Sequence, residues 1–211
     1  MSEQSGGYQY LPSVLNNIEL PLHILNSDRV WLARLFNQMG FKQGAEIGVE
    51  GGAYSEILCS NIPDLHLICV DLWKPYDGYV DYVDPTYLEG EYHKAVERLK
   101  PYSVEILRTD SMNAMMSVEN NSLDFVYIDA NHDCPWIDND IYWWSRKVRE
   151  GGIVSGHDYA VNHNGVRHAV DYFTKLNNIR PWFVTGMVNE TGNPDTIPSW
   201  FWEKGANELA R

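Results

Sequence analysis

Short apolar runs separated by amphipathic segments are the feature that most constrains the fold of this chain. The apolar runs cover 44–48, 65–71, 104–107, 123–129 and 152–155, and the helical patterns between them cover 55–61, 87–100, 112–118 and 136–148. Near-continuous apolar strands joined by helices are typical of a parallel sheet that is buried on both faces. The sequence therefore predicts an α/β fold with a doubly wound sheet.

The end of the chain departs from this alternation. After a helical pattern over 166–176, two apolar segments at 182–188 and 200–204 are separated by only 11 residues, which is too short for a helical crossover. We expect these segments to form an antiparallel hairpin. With a further helix over 28–39, the prediction is a Rossmann-like, mostly parallel, seven-stranded sheet with an antiparallel last strand, formed by a domain over 26–211 that follows an N-terminal arm over 1–25.

Composition and charge exclude several classes of partner. The chain of 211 residues has 16 Lys and Arg against 29 Asp and Glu, a net charge of −13, which disfavours phosphate backbones and anionic lipid. Its three cysteines are an odd number without CxxC spacing, which argues against a disulfide framework or a zinc site. Its first residues, MSEQSGGYQYLPS, lack the basic and apolar parts of a targeting signal. We expect a cytoplasmic protein that binds neither nucleic acid nor membrane. Assembly into a homo-oligomer is compatible with the sequence.

A glycine-rich turn follows the first predicted strand, in the sequence AEIGVEGGAYS over 45–55. Gly48 and Gly51 allow a tight turn and a close approach of backbone to a ligand. The spacing differs from G-x-G-x-x-G, and Glu46 and Glu50 would repel a pyrophosphate. A ligand with a neutral or cationic middle suits this turn better than a dinucleotide does.

Acidic residues follow the next two predicted strands. Asp71 lies 20 residues after Gly51, where Rossmann-like sheets place an acid that accepts hydrogen bonds from ribose hydroxyls. Asp110, after the third predicted strand, could accept from the exocyclic amine of an adenine. Together these positions outline an adenosine-shaped site. The alternative is that the glycines form only a turn and the aspartates only cap helices.

These residues resemble the class I S-adenosylmethionine-dependent methyltransferases. The segments FVYIDANHD at 125–133 and GGIVSGHDY at 151–159 are similar to the signatures of methyltransferase family 24, and the resemblance covers about residues 40–204. It implies that Glu46 holds the methionine amino group, that the glycines shape the loop and that Asp71 binds ribose. The expected cofactor-binding residues are Glu46, Gly48, Gly51, Asp71, Asp110, Ser111 and Asp129.

A second cluster is expected at the ends of the fourth and fifth predicted strands. Asp129 and Asp158 end strands that neighbour each other at a spacing of about 4.8 Å, so their carboxylates can converge. His132 and His157 lie on the same rim. Two such carboxylates can share a proton, bind a cation or divide acid and base roles.

Related O-methyltransferases hold a magnesium ion at these strand ends. The resemblance implies Asp129, His157 and Asp158 as ligands of Mg²⁺ or another divalent cation, although Asn131 replaces the aspartate base of the sugar enzymes and His157 replaces an acid. His132 is the first choice for general base, with Asp129 beside it, because an unshifted imidazole titrates near pH 6.5. The alternative is that His132 and Asp129 cap or orient the following helix.

The segment over 73–93 is rich in tyrosines and acids and leaves the second predicted strand beside the cofactor site. It could form a lid whose aromatic faces stack on sugar rings, or it could be a solvated loop that packs its tyrosines on the sheet. The predicted function is transfer of a methyl group from S-adenosylmethionine to a hydroxyl of a sugar or other small molecule. Alternatives are an NAD-type dehydrogenase, a non-catalytic binding module and a metal-dependent hydrolase.

Overall fold

The computed structural model describes residues 19–79, 84–160, 162–186 and 197–205. The strands are β1 (Leu22–Ile24), β2 (Gln43–Ile47), β3 (His66–Asp71), β4 (Val104–Arg108), β5 (Leu123–Ile128), β6 (Val148–Gly156), β7 (Phe183–Thr185) and β8 (Trp200–Glu203). The helices are α1 (Arg29–Gln38), α2 (Ala53–Asn61), α3 (Pro85–Leu99), α4 (Ser111–Met116), α5 (Trp136–Ser145) and α6 (Asn164–Leu176). Among these described helices, none is long and apolar enough to cross a membrane.

All eight strands form one sheet in the order β1-β7-β8-β6-β5-β2-β3-β4. β8 runs antiparallel to both of its neighbours, β6 and β7, and the other pairs are parallel. The predicted α/β fold, with a mostly parallel sheet and an antiparallel last strand, is therefore confirmed. The β7–β8 hairpin is confirmed as well, although residues 187 and 188 of its predicted first strand lie outside the described residues.

Among the described residues, the sheet has one strand more than the seven predicted. Leu22–Ile24 belongs to the predicted N-terminal arm, yet it pairs in parallel with Phe183–Thr185 at the edge of the sheet. A three-residue edge strand is too short to show a periodic pattern, and its pairing depends on the exposed backbone of β7. Residues 1–18 of the arm lie outside the described residues.

The sheet separates two hydrophobic cores, as a doubly wound fold requires. Along β5, Phe125 and Tyr127 pack with side chains from α1, α2 and α3, whereas Val126 and Ile128 pack with α4, α5 and α6. Successive side chains of a strand point to opposite faces, so a strand covered on both sides is apolar throughout. This double burial explains why the strands appear in the sequence as near-continuous apolar runs.

The two central strands open a cleft between them. β2 and β5 are neighbours, but α2, which follows β2, packs on one face while α5, which follows β5, packs on the other. The chain therefore diverges at the carboxyl ends of these strands. Such a switch point is where open α/β sheets bind their ligands.

The core around Phe125 should carry a large share of the folding free energy. Its ring is fully buried and stacks on Phe36 with centroids 4.5 Å apart. We expect Phe125→Ala to lower the free energy of unfolding by about 3–5 kcal/mol, because the lost ring leaves a cavity against the sheet. Urea denaturation of this variant beside Tyr172→Ala, whose side chain is exposed, measures the difference. A loss below about 1 kcal/mol would contradict this account of the core.

Candidate active site

A cavity of about 740 Å³ opens at the carboxyl ends of β2 to β6. Its wall includes residues that follow each of these strands, so the sheet brings together positions that lie more than 100 residues apart in the chain. The predicted site residues on this wall are Glu46, Gly48, Asp71, Asp110, Ser111, Asp129, His132, His157 and Asp158. The predicted residue Gly51 does not line the cavity.

The two predicted glycines have different roles. At Gly48, where φ is +90°, an added Cβ would lie 2.0 Å from the carbonyl oxygen of Asp129, so only glycine lets the loop pass the end of β5. At Gly51 an added Cβ would instead lie 2.4 Å from Glu91 Oε2 on α3, and the Gly51 carbonyl accepts a hydrogen bond from Arg98. Gly51 thus packs the loop against α3 and faces away from the cavity.

Asp71 holds the glycine-rich loop through its carboxylate. Oδ2 accepts from the backbone N–H of Val49 at 3.0 Å and of Glu50 at 2.9 Å, and Oδ1 accepts from Trp73 N–H at 3.0 Å. A carboxylate offers roughly four acceptor positions, so Asp71 retains capacity toward the cavity. The predicted ribose-binding residue therefore also fixes the shape of the loop.

Three non-glycine residues on the cavity wall adopt left-handed backbone conformations. They are Glu50 at φ 49°, Trp73 at φ 46° and Asp158 at φ 60°. Such positions cost on the order of 1–3 kcal/mol each and tend to gather at functional sites, where the surrounding structure holds them. The strain at Asp158 accompanies a carboxylate that is buried at the cavity wall.

Glu46 is buried beneath the glycine-rich loop and accepts a hydrogen bond from the Ser55 hydroxyl. Burial raises the pKa of its carboxyl to about 8, against the lowering effect of Ser55. The side chain is therefore mostly protonated at neutral pH. A bound cation would favour its ionised form.

The side of the cavity predicted for adenine contains a buried network. Asp110 caps α4 by accepting from Asn113 N–H at 3.0 Å, while the Ser111 hydroxyl donates to Asp140 and accepts from Trp144 Nε1 at 2.7 Å. The hydroxyl of Ser111 is thus engaged within the protein. Burial raises the pKa of Asp140 to about 7, although the hydrogen bond from Ser111 lowers it.

Asp140 is a cavity residue that sequence reasoning missed. It lies on the face of α5 that also buries Ile137, Ile141 and Trp144. A carboxylate among apolar positions at helical spacing is the signal that could have identified it, because a buried acid needs a partner or a ligand.

The rim at the ends of β5 and β6 gathers two carboxylates and two imidazoles. His132 Nε2 lies 2.8 Å from Asp158 Oδ2 and 3.8 Å from Asp129 Oδ1. His157 Nδ1 lies 3.2 Å from Asp158 Oδ1 and 3.7 Å from Asp129 Oδ2. His163, which the predicted set did not include, adds an Nε2 that lies 3.8 Å from Asp158 Oδ1.

These contacts change the expected protonation of the rim. Burial lowers the pKa of His132, but the neighbouring carboxylates of Asp129 and Asp158 outweigh burial and raise that pKa to about 10. Burial raises the pKa of Asp158, but the two histidines outweigh it and hold that pKa well below its usual range. His132 is therefore an imidazolium at neutral pH in this arrangement. The expectation of an unshifted imidazole near pH 6.5 does not hold here.

A short aromatic loop covers one side of the cavity. The rings of Tyr76 and Tyr79 stack in parallel with centroids 5.0 Å apart, and Trp136 meets Tyr76 edge to face at 5.6 Å. Asn131 Nδ2 donates to Tyr76 Oη and to the Gly78 carbonyl, each at 3.2 Å. Asn131 therefore ties the start of the predicted lid to the end of β5. Residues 80–83 of that lid lie outside the described residues.

The buried carboxyl of Glu46 predicts a pH-dependent stability. Its folded-state pKa of about 8 exceeds its ordinary value of 4.5, so its contribution to stability is full below about pH 4.5 and is lost as the pH rises through 8. We expect Glu46→Gln to remove this decline, an effect on the order of a few kcal/mol because each tenfold change in proton affinity is worth about 1.4 kcal/mol.

Chemical denaturation at several values between pH 5 and pH 9 measures this decline. Glu105→Gln, which changes an exposed carboxylate on β4, serves as the control and should follow the wild-type curve. Parallel pH curves for wild type and Glu46→Gln would show that burial does not shift the pKa of Glu46.

Comparisons with known proteins agree with this geometry. A family model described as a methyltransferase domain, methyltransferase family 24, matches residues 45–159, which is more than half of the chain. The search of curated protein sequences gave no match. Solved structures with the same fold are numerous, and three of them illustrate the likeness.

The first is an O-methyltransferase from Bacillus cereus in complex with SAH, with a TM-score of 0.63 and 14% identity over 93% of this chain and 90% of that one. The second is the O-methyltransferase TomG from Streptomyces achromogenes, involved in tomaymycin synthesis and in complex with SAM, with a TM-score of 0.62 and 18% identity over 84% and 78%. The third is a SAM-dependent O-methyltransferase from Thermotoga maritima, with a TM-score of 0.60 and 14% identity over 90% and 69%.

At these identities the structural likeness shows only a shared fold. The family match identifies the domain as a methyltransferase domain. The match covers both the glycine-rich loop and the rim that contains Asp129 and Asp158. With its sheet order and its antiparallel β8, this chain belongs to methyltransferase family 24.

Proposed function

We propose that this chain is an S-adenosylmethionine-dependent O-methyltransferase that acts on a hydroxyl of a sugar or another small molecule. One observation carries the proposal: a single cavity at the switch point joins the positions predicted to bind adenosine to a rim of carboxylates and imidazoles. Family membership supports methyl transfer. The similar structures named above, O-methyltransferases that include complexes with SAM or SAH, support the cofactor and an oxygen acceptor.

The charge of the cavity suits a sulfonium cofactor. S-adenosylmethionine is positive at its sulfur and at its amino group, and Glu46 and Asp129 both line the cavity, with the Asp129 backbone against Gly48. Opposite charges at short range favour binding, and more so in a partly dry site than in water. Asp71 would accept from the ribose hydroxyls, with Asp110 toward the adenine.

Transfer of the methyl group requires an acceptor oxygen in line with the sulfonium. The new C–O bond forms as the C–S bond breaks, its electron pair stays on sulfur, and the hydroxyl loses a proton. Asp129, whose Oδ1 lies 3.8 Å from His132 Nε2, is proposed to take that proton, because His132 is an imidazolium in this arrangement and acts as a base only after it loses its own proton. Most of the rate would come from holding the two reactants together and excluding water.

The rim also has the donors for a divalent cation. Single ligand atoms of Asp129, His157 and Asp158 lie within 4.8 Å of one another, and His157 faces both carboxylates with Nδ1. Two carboxylates and one imidazole suit Mn²⁺ or a later transition metal better than Mg²⁺, which prefers oxygen alone. A bound cation would supply Lewis acidity that lowers the pKa of the acceptor hydroxyl.

The acceptor side favours a molecule with flat apolar faces and several hydroxyls. Tyr76, Tyr79 and Trp136 offer aromatic surfaces that can stack on the face of a sugar ring. Carboxylates and imidazoles of the rim lie on the same cavity wall and can bond to hydroxyls. This combination supports a sugar or a related polyhydroxylated small molecule.

Titration calorimetry with S-adenosylmethionine tests the cofactor. We expect the wild type to bind and Asp71→Ala to lose at least about tenfold in affinity, because the variant lacks both the ribose acceptor and the hydrogen bonds that shape the loop. Asp64→Ala, at an exposed turn, is the matched control and should bind as the wild type does. Absence of binding at millimolar cofactor, or unchanged binding by Asp71→Ala, would overturn the proposed function.

The cation is tested by thermal unfolding with Mn²⁺ and with Mg²⁺. We expect Mn²⁺ to raise the Tm of the wild type by a few degrees and more than Mg²⁺ does, since a ligand that binds only the folded state stabilises it. Asp158→Asn should abolish the shift, and asparagine tolerates the left-handed backbone at this position. Asp133→Asn, an exposed neighbour, should keep it. Equal shifts in the wild type and Asp158→Asn would show that the rim does not bind the cation.

A further inference from the structure

A cationic side chain lies inside this otherwise acidic cavity. Among the described residues, Arg29 and Lys74 are the Lys and Arg side chains on the cavity wall. Lys74 is exposed, whereas the side chain of Arg29 is only 23% exposed and belongs to the first turn of α1. A guanidinium that is held largely out of water usually has an anionic partner.

Arg29 lies at the end of the cavity where Glu46 and Asp129 are. Its Nη1 is 3.8 Å from Asp129 Oδ2, and its guanidinium carbon is 5.4 Å from the ring centroid of Tyr54. Tyr54 Oη in turn donates to the Arg29 carbonyl at 3.3 Å, and the Tyr54 ring packs on Tyr127 at 4.3 Å. These contacts hold the guanidinium beside Tyr54 of α2 and Asp129 at the end of β5.

The charge on Arg29 is permanent in this setting. Burial lowers the pKa of its guanidinium, but the neighbouring Tyr127, Asp129, Tyr54 and Glu46 outweigh burial and raise it. A guanidinium has five N–H donors in a planar fork, so a contact with Asp129 is compatible with a second, bidentate contact to a carboxylate.

We infer that Arg29 binds the carboxylate of the methionine moiety of the cofactor, an inference that rests on the proposed function. The methionine end is an amino acid, with an ammonium and a carboxylate on one carbon. A site with groups of both signs within a few ångströms is complementary to it. Asp129 supplies a negative group, Glu46 supplies another once the bound ammonium favours its ionised form, and Arg29 supplies the positive group.

The competing explanation is that Arg29 only neutralises Asp129 and packs on Tyr54. The two explanations differ in the ligand atoms that they involve. If Arg29 binds the carboxylate, its loss weakens only ligands that have a carboxylate. If Arg29 is structural, its loss weakens every adenosyl ligand to a similar degree.

Calorimetry with three ligands separates these cases. S-adenosylmethionine contains the carboxylate, decarboxylated S-adenosylmethionine retains the sulfonium and the amine without it, and 5′-methylthioadenosine lacks the amino acid altogether. The variants are Arg29→Met, which keeps an unbranched stem without the guanidinium and its charge, and Arg29→Lys, which keeps the charge without the planar fork of donors. Arg34→Met, an exposed arginine on the same helix, is the matched control.

The wild type should prefer S-adenosylmethionine to its decarboxylated form by about ten- to a hundredfold, the usual range for a charge-assisted contact. Arg29→Met should abolish this preference while its affinity for 5′-methylthioadenosine changes less than about twofold. Arg29→Lys should restore part of the preference, and Arg34→Met should behave as the wild type does.

Equal weakening of all three ligands by Arg29→Met, or an unchanged preference for the carboxylate, would overturn the role of Arg29 and leave the proposed function standing. Failure of the wild type to bind any of the three ligands would overturn the proposed function and this inference together. Circular dichroism of each variant confirms that the loss of affinity is measured on folded protein.

Discussion

The close approach of Gly48 to the backbone of Asp129 is the constraint on which the cavity depends. Gly48 N–H donates to the Val70 carbonyl of β3 at 2.9 Å, and Asp129 N–H donates to the Ile47 carbonyl at 2.7 Å, so β2 stays paired with both β3 and β5 up to its last residues. Beyond that point the chain diverges to opposite faces of the sheet. Any side chain at Gly48 would force β2 and β5 apart and would misplace the groups that follow them.

The elements that are buried on both faces could be predicted from the sequence, because their environment is uniform along their length. β3 and β5 are examples, with few polar residues before the strand ends. A short edge strand and a single side chain at the start of a helix could not be predicted in the same way. Leu22–Ile24 is a strand only because β7 offers it an open edge, and nothing local marks it. Arg29 has the sequence context of a solvated helix start, and only the packing of α1 beside the loop brings it to the cavity.

Within the site, positions were more predictable than chemistry. The end of a parallel strand determines where a side chain lies, so Asp71, Asp129 and Asp158 could be placed from their spacing alone. What each group does depends on neighbours that are distant in sequence. The hydroxyl of Ser111 is engaged by Asp140 and Trp144, which belong to α5.

The acids of the cavity therefore form two classes that behave differently toward a ligand. Glu46 and Asp140 are buried, with pKa values raised to about 8 and about 7, so each contributes less than a full negative charge to the cavity at neutral pH. Asp158 is buried as well, but His132 and His157 keep it ionised. A cation that binds beside Glu46 would lower the pKa of its carboxyl. The carboxyl would then ionise when the cation binds. This arrangement lets a buried site attract a cationic cofactor without the full desolvation cost of a permanent carboxylate, since neutral acids are much less costly to bury than ionised ones.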